Sequence, residues 1–198
     1  MDNSIRVSQR EKIKDILHIR NFEWTPKQQN FINLALDKNT KVLLVNGPAG
    51  SAKTFLSVYS SLRLLNDKRI SDILYLRSAV ESSDKALGYL PGSVDDKLHF
   101  YNLPFIDKLE ELLSKTDISR LQKDNRISIF PVNFCRGMSW NAKSIILDEA
   151  QNSTLKEIIT VLTRIANAEP LNRYLIYFPT RKVRSLEFIL LLLIVVIF

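Results

Sequence analysis

The sequence predicts an α/β protein, a parallel sheet with helices on both faces in three layers. Two observations carry this. Short apolar runs rich in β-formers recur at 41–46, 72–77, 127–131 and 173–178, with another at 143–152 that ends in acids. Segments with apolar residues at helical spacing stand between several of them. Strands that alternate with helices form parallel sheets buried on both faces.

Taken in order, residues 1–24 read as a polar, helical leader. A helix then starts at Thr25, with Thr25 as its cap, Pro26 in the first turn and Gln28 closing a capping box. Phe31, Ile32 and Leu34 to Leu36 give it an apolar face. KVLLVN (41–46) is a buried strand, and TFLSVYSSLRLL (54–65) is a helix with Leu56, Tyr59, Leu62 and Leu65 near helical spacing. DILYLR (72–77) is a second strand. Residues 86–97 form a loop punctuated by Gly88, Pro91 and Gly92. An amphipathic helix covers 104–115, followed by strands at 127–131 and 143–152. A helix over 153–165 is capped by Ser153, and RYLIYF (173–178) is the last strand. The organisation expected is a leader (1–24), one domain (25–178) and a tail of atypical composition (179–198).

Bulk properties narrow the class. A length of 198 residues suits one domain with a proper core. A net charge of +7 favours anionic partners, whether nucleotide, nucleic acid or membrane surface, or is plain solubility charge. The single cysteine, Cys135, excludes an internal disulfide and reads as a packed small hydrophobe. With only His18 and His99 beside it, no Cys/His metal cluster is expected. The charged N-terminus lacks the apolar core of a signal peptide, and the expected location is cytoplasmic. FILLLLIVVIF (188–198), preceded by Arg181, Lys182 and Arg184, falls short of the roughly 20 residues needed to span a bilayer. It fits a buried strand, a weak membrane tail or a truncated or shifted reading frame. The abrupt change in composition favours the last, and no membrane partner is expected.

The chemistry concentrates in GPAGSAKT (47–54), which stands directly between a strand and a helix. It matches the phosphate-loop pattern G-x-x-x-x-G-K-[ST] except that Ala52 replaces a glycine. In such a loop the backbone N–H groups of Gly47, Pro48, Ala49, Gly50, Ser51, Ala52, Lys53 and Thr54, proline excepted, wrap a phosphate at a helix N-terminus. Lys53 would carry its ammonium to the β- and γ-phosphates, and the Thr54 hydroxyl would ligate Mg²⁺. If Ala52 must be left-handed, its methyl costs about 1–2 kcal/mol, which many N–H contacts can offset.

SIILDE (144–149) ends an apolar strand in carboxylates, at the edge where parallel sheets place ligands. Asp148 suits the Mg²⁺ shell, and Glu149 suits orienting and deprotonating the attacking water. Gln28 either reads adenine or only closes the capping box. Gln151 either contacts the γ-phosphate or only precedes the next helix. Arg77, Arg136 and Arg164 are candidates for RNA or subunit contact, or ordinary surface arginines.

GPAGSAKT, LRSAVESSDKALGYLPGSVDDKLHFYNLPFIDKL and FCRGMSWNAKSIILDEAQNST together resemble the PhoH-like ATPases, the phosphate-starvation-inducible type, and especially their phage-encoded members. The resemblance runs from about Thr25 to Ile165. AVESSDKALGYLPG resembles the segment characteristic of that family between its two nucleotide motifs. Arg136–Gly137 sits at the family's spacing before DEAQ.

The resemblance implies a RecA-like P-loop core that binds and hydrolyses ATP with Mg²⁺, coupled to single-stranded RNA, in a ring-shaped homo-oligomer such as a hexamer. It assigns the ATPase roles to Lys53, Thr54, Asp148 and Glu149, and matches Gln28 to the family's glutamine before the loop. Some relatives carry a fused nuclease domain; these residues do not resemble one, so no nuclease activity is expected. After RYLIYF the family continues with Gly-Asp and a glutamine that sense the γ-phosphate, whereas here Pro179-Thr180 follow. The core is therefore expected to be incomplete at its C-terminus. That makes a module that binds ATP without efficient hydrolysis the alternative to a working ATPase. A third reading, a peripheral membrane protein anchored by its tail, is disfavoured by the tail's length.

Overall fold

The computed structural model describes residues 13–48, 50–78, 94–132, 140–166 and 173–179. Its strands are β1 (Val42–Gly47), β2 (Asp72–Arg77), β3 (Ile127–Pro131), β4 (Lys143–Asp148) and β5 (Arg173–Pro179). They form one sheet in the order β1-β5-β4-β2-β3. Every pairing is parallel, so all strands end on the same edge. The register sets Gly47 beside Pro179 and Arg77 beside Asp148.

The helices are α1 (Pro26–Leu36), α2 (Lys53–Asn66), α3 (Val94–Leu112), α4 (Lys115–Lys123) and α5 (Leu155–Ala166). Because strand side chains alternate between faces, two separate apolar clusters form. On one face Ile73, Tyr75 and Ile146 pack with Ile32 of α1, Leu56 and Leu62 of α2, Phe105 and Leu109 of α3, and Ile118 of α4. On the other, Leu74, Leu76, Ile145 and Leu147 pack with Val161 of α5. This is the three-layer α/β arrangement expected from the sequence.

Some elements differ from expectation. The described part of the leader, residues 13–24, is irregular rather than helical; residues 1–12 lie outside the described residues. Its backbone groups are taken by tertiary partners instead. Leu17 N–H donates to Asn66 Oδ1 at 2.8 Å, and Asn66 Nδ2 donates back to the Leu17 carbonyl at 2.9 Å. Arg20 N–H donates to the Leu112 carbonyl at 2.9 Å. Ile13 and Leu17 of this segment are buried in the core.

The helix expected at 104–115 begins at Val94 and carries Pro104 inside it, so the C-terminal part of the 86–97 loop is helical. An interior proline forfeits one backbone hydrogen bond. Burial of Phe105, Leu109 and Leu112 along one side outweighs it. A separate helix, α4, follows because Ser114 caps it, accepting from Asp117 N–H at 3.1 Å. The cap of α5 is Thr154 rather than Ser153. Thr154 N–H donates to Glu157 Oε2 at 2.7 Å, and Glu157 N–H donates to Thr154 Oγ1 at 3.3 Å. No helix among the described residues is long and apolar enough to cross a membrane.

Candidate functional site

The site is built where β1 and β4 end. β5 lies between them, so the loop after Gly47 and the acids after Leu147 converge from its two sides. The loop turns through two left-handed residues, Gly50 at φ 76° and Ala52 at φ 60°. Ala52 thus occupies the conformation for which the pattern uses glycine. Its carbonyl accepts the first bond of α2, from Leu56 N–H at 2.9 Å.

Gly47 is constrained by space. A β-carbon there would lie 3.1 Å from Ser51 Oγ and 3.5 Å from Lys53 Cδ. Those two side chains occupy the loop's interior. Ser51 Oγ donates to the Pro48 carbonyl at 2.8 Å. Lys53 Nζ donates to the Gly47 carbonyl at 2.7 Å, to Ser51 Oγ at 2.9 Å and to the Pro48 carbonyl. Lys53 is buried, and burial pushes its ammonium pKa down, with Glu149 and Asp148 pulling the other way.

Thr54, one residue on at the start of α2, faces the end of β4. Its Oγ1 lies 3.3 Å from Asp148 Oδ1. Glu149 N–H donates to the same oxygen at 3.1 Å, while the Tyr75 hydroxyl donates to Oδ2. Asp148 is buried, and burial raises its carboxyl pKa. The Tyr75 hydrogen bond, the Arg77 charge and the Glu149 N–H act against that, while the Glu149 charge adds to it. Burial and the neighbouring Asp148 charge also push the Tyr75 phenol well above its ordinary range. Tyr75 is therefore a donor at any physiological pH.

Glu149 adopts a left-handed backbone at φ 55° and caps the short 3₁₀ turn Ala150–Asn152. Strained non-glycine residues of this kind concentrate at functional sites. Gln151 Nε2 donates to Glu149 Oε2, and Gln151 Oε1 is buried without a hydrogen-bond partner.

The chemical capacity is that of the Thr54 and Asp148 oxygens beside the Lys53 ammonium at a helix N-terminus. One hydroxyl and one carboxylate fit a Mg²⁺ ion that takes its remaining ligands from phosphate and water. Among the described residues no cluster of three His, Cys, Asp or Glu could hold a metal without such help.

Not every candidate joins this arrangement. Gln28 Oε1 accepts from Thr25 N–H at 3.0 Å, so its side-chain oxygen serves the capping box. Arg77 stands beside Asp148 in register and acts on it through charge. Ala49 and Arg136 lie outside the described residues, as does the side chain of Arg164 on α5. Tyr75 was missed by sequence reasoning. Its position two residues before Arg77, on the same strand face, was a signal, but the neighbouring strand was unknown.

The family model for the PhoH-like protein matches residues 22–169. The chain belongs to the PhoH-like family. A PhoH-like protein of Mycobacterium bovis is 35% identical over 154 residues, which is 76% of this chain and 43% of that protein. One from Bacillus subtilis is 36% identical over 131 residues, covering 66% of this chain and 40% of the relative. One from Synechocystis is 33% identical over 141 residues, covering 71% and 42%. The chain thus spans less than half the length of these curated relatives. PhoH-like proteins form a family of P-loop ATPases.

Proposed function

We propose that the chain binds ATP with Mg²⁺ at the 47–54 loop and hydrolyses it, coupled to single-stranded RNA. The observation that carries this is the meeting at 3.3 Å of Thr54 Oγ1, at the start of α2, and Asp148 Oδ1, at the end of β4. In this reading the loop N–H groups and Lys53 hold the phosphates, and Thr54 and Asp148 hold the metal. The ion would neutralise developing phosphate charge. Glu149, positioned by Gln151, orients the water and takes its proton. The RNA and ring-hexamer parts rest on the family resemblance and on the net charge of +7.

Steady-state ATP hydrolysis by the full chain, with and without single-stranded RNA, tests the proposal. The expected result is Mg²⁺-dependent turnover, raised by RNA and abolished in Lys53→Ala. ATP binding without turnover would favour the second reading, a nucleotide-binding module. One observation supports that reading. The end of β5 is flanked by the loop and the acids, with Pro179 beside Gly47, where the family resemblance expects Gly-Asp.

A further inference from the structure

We propose that Tyr75 is a positioning residue that fixes the plane of the Asp148 carboxylate, so that one oxygen is held toward the metal–nucleotide. This rests on the reading of Asp148 as a metal-holding group. Asp148 Oδ1 faces Thr54 Oγ1 at 3.3 Å and takes the Glu149 N–H at 3.1 Å. Oδ2 is engaged by the Tyr75 hydroxyl, on the side away from the loop. An aspartate's last torsion is broad, so without a lock the carboxylate plane turns and neither oxygen is held toward Thr54.

Tyr75 supplies that lock from a rigid base. It is fully buried in the middle of β2, and its ring lies on Phe105 of α3 at 4.7 Å between centroids and 32° between planes. Strand register sets its direction. Tyr75 pairs with Ile146, and Asp148 lies two residues farther along the same face of β4.

A buried tyrosine needs some hydrogen-bond partner, and that alone is a structural requirement. Here the partner is the buried carboxylate at the ligand edge of the sheet. Groups that orient metal ligands in this way typically matter about 10–100-fold in metal affinity.

The test compares ADP binding to the full chain with excess Mg²⁺ and with EDTA, using calorimetry, for wild type and Tyr75→Phe. Electron paramagnetic resonance of Mn²⁺ with ADP gives an independent readout of the metal. Tyr75→Phe keeps the ring on Phe105 and removes only the hydroxyl. The expected result is roughly tenfold weaker binding of the metal–nucleotide, with binding in EDTA unchanged.

In an Asp148→Asn background, adding Tyr75→Phe is expected to change metal-dependent binding no further, because both act through one group. That pair of variants also keeps the test available if the single variant unfolds. Equal losses with and without metal, or no loss at all, would overturn the inference. So would a further loss in the Asp148→Asn background. If wild type itself gains no affinity from the metal, the proposed function fails instead.

Discussion

Thr54 and Asp148 sit 94 positions apart in sequence, at the start of α2 and the end of β4, yet their side-chain oxygens lie 3.3 Å apart. That relationship turns two separate motifs into one site. Thr54→Val keeps the shape and removes the hydroxyl. It is expected to weaken Mg²⁺–ADP binding about tenfold or more while leaving binding in EDTA near wild type. Calorimetric titrations in the two conditions check this.

Asp148→Asn is expected to stabilise the isolated protein at neutral pH. Burial raises the carboxyl pKa, so the folded state holds its proton more tightly than the unfolded chain does. The associated stability is present below the unfolded value and is lost as pH rises through the folded one. At neutral pH the buried charge is therefore a cost, and the amide removes it. Thermal unfolding should show the variant melting higher at about pH 7, with the gap closing toward about pH 4. Metal-dependent binding should fall in the same variant.

Ala52→Gly is expected to raise stability by up to about 1.5 kcal/mol. A left-handed alanine costs about 1–2 kcal/mol, of which glycine's extra unfolded-state freedom takes back about 0.5–1. Ala52 sits at φ 60°, ψ 21°, within that region. Denaturant unfolding measures the gain, and nucleotide binding should be retained because the loop's N–H groups are unchanged.

Much of this was legible before any coordinates. Local signals sufficed where the answer is local. Thr25, Pro26 and Gln28 announced α1, and the apolar runs at 72–77 and 127–131 are β2 and β3 to the residue. The loop's context was also readable, and so was the αL demand on Ala52 as a condition.

What failed depends on distant partners. Residues 13–24 are not helical, and Asn66 and Leu112 take backbone groups of Leu17 and Arg20; nothing near Leu17 in sequence says so. Pro104 looked like a helix start, and only the burial of Phe105, Leu109 and Leu112 keeps it inside α3. Tyr75 has no motif at all. Its role follows from the strand order that sets β2 beside β4.

The most direct test of the single-site account is ATP turnover by wild type and Glu149→Gln under Mg²⁺, with ATP binding measured on the same samples. The account predicts Mg²⁺-dependent hydrolysis in wild type. It also predicts a loss of about 100-fold or more in the variant, with ATP still bound, as expected when a general base is removed. Wild type that binds ATP without turning it over, or a variant as active as wild type, would contradict it.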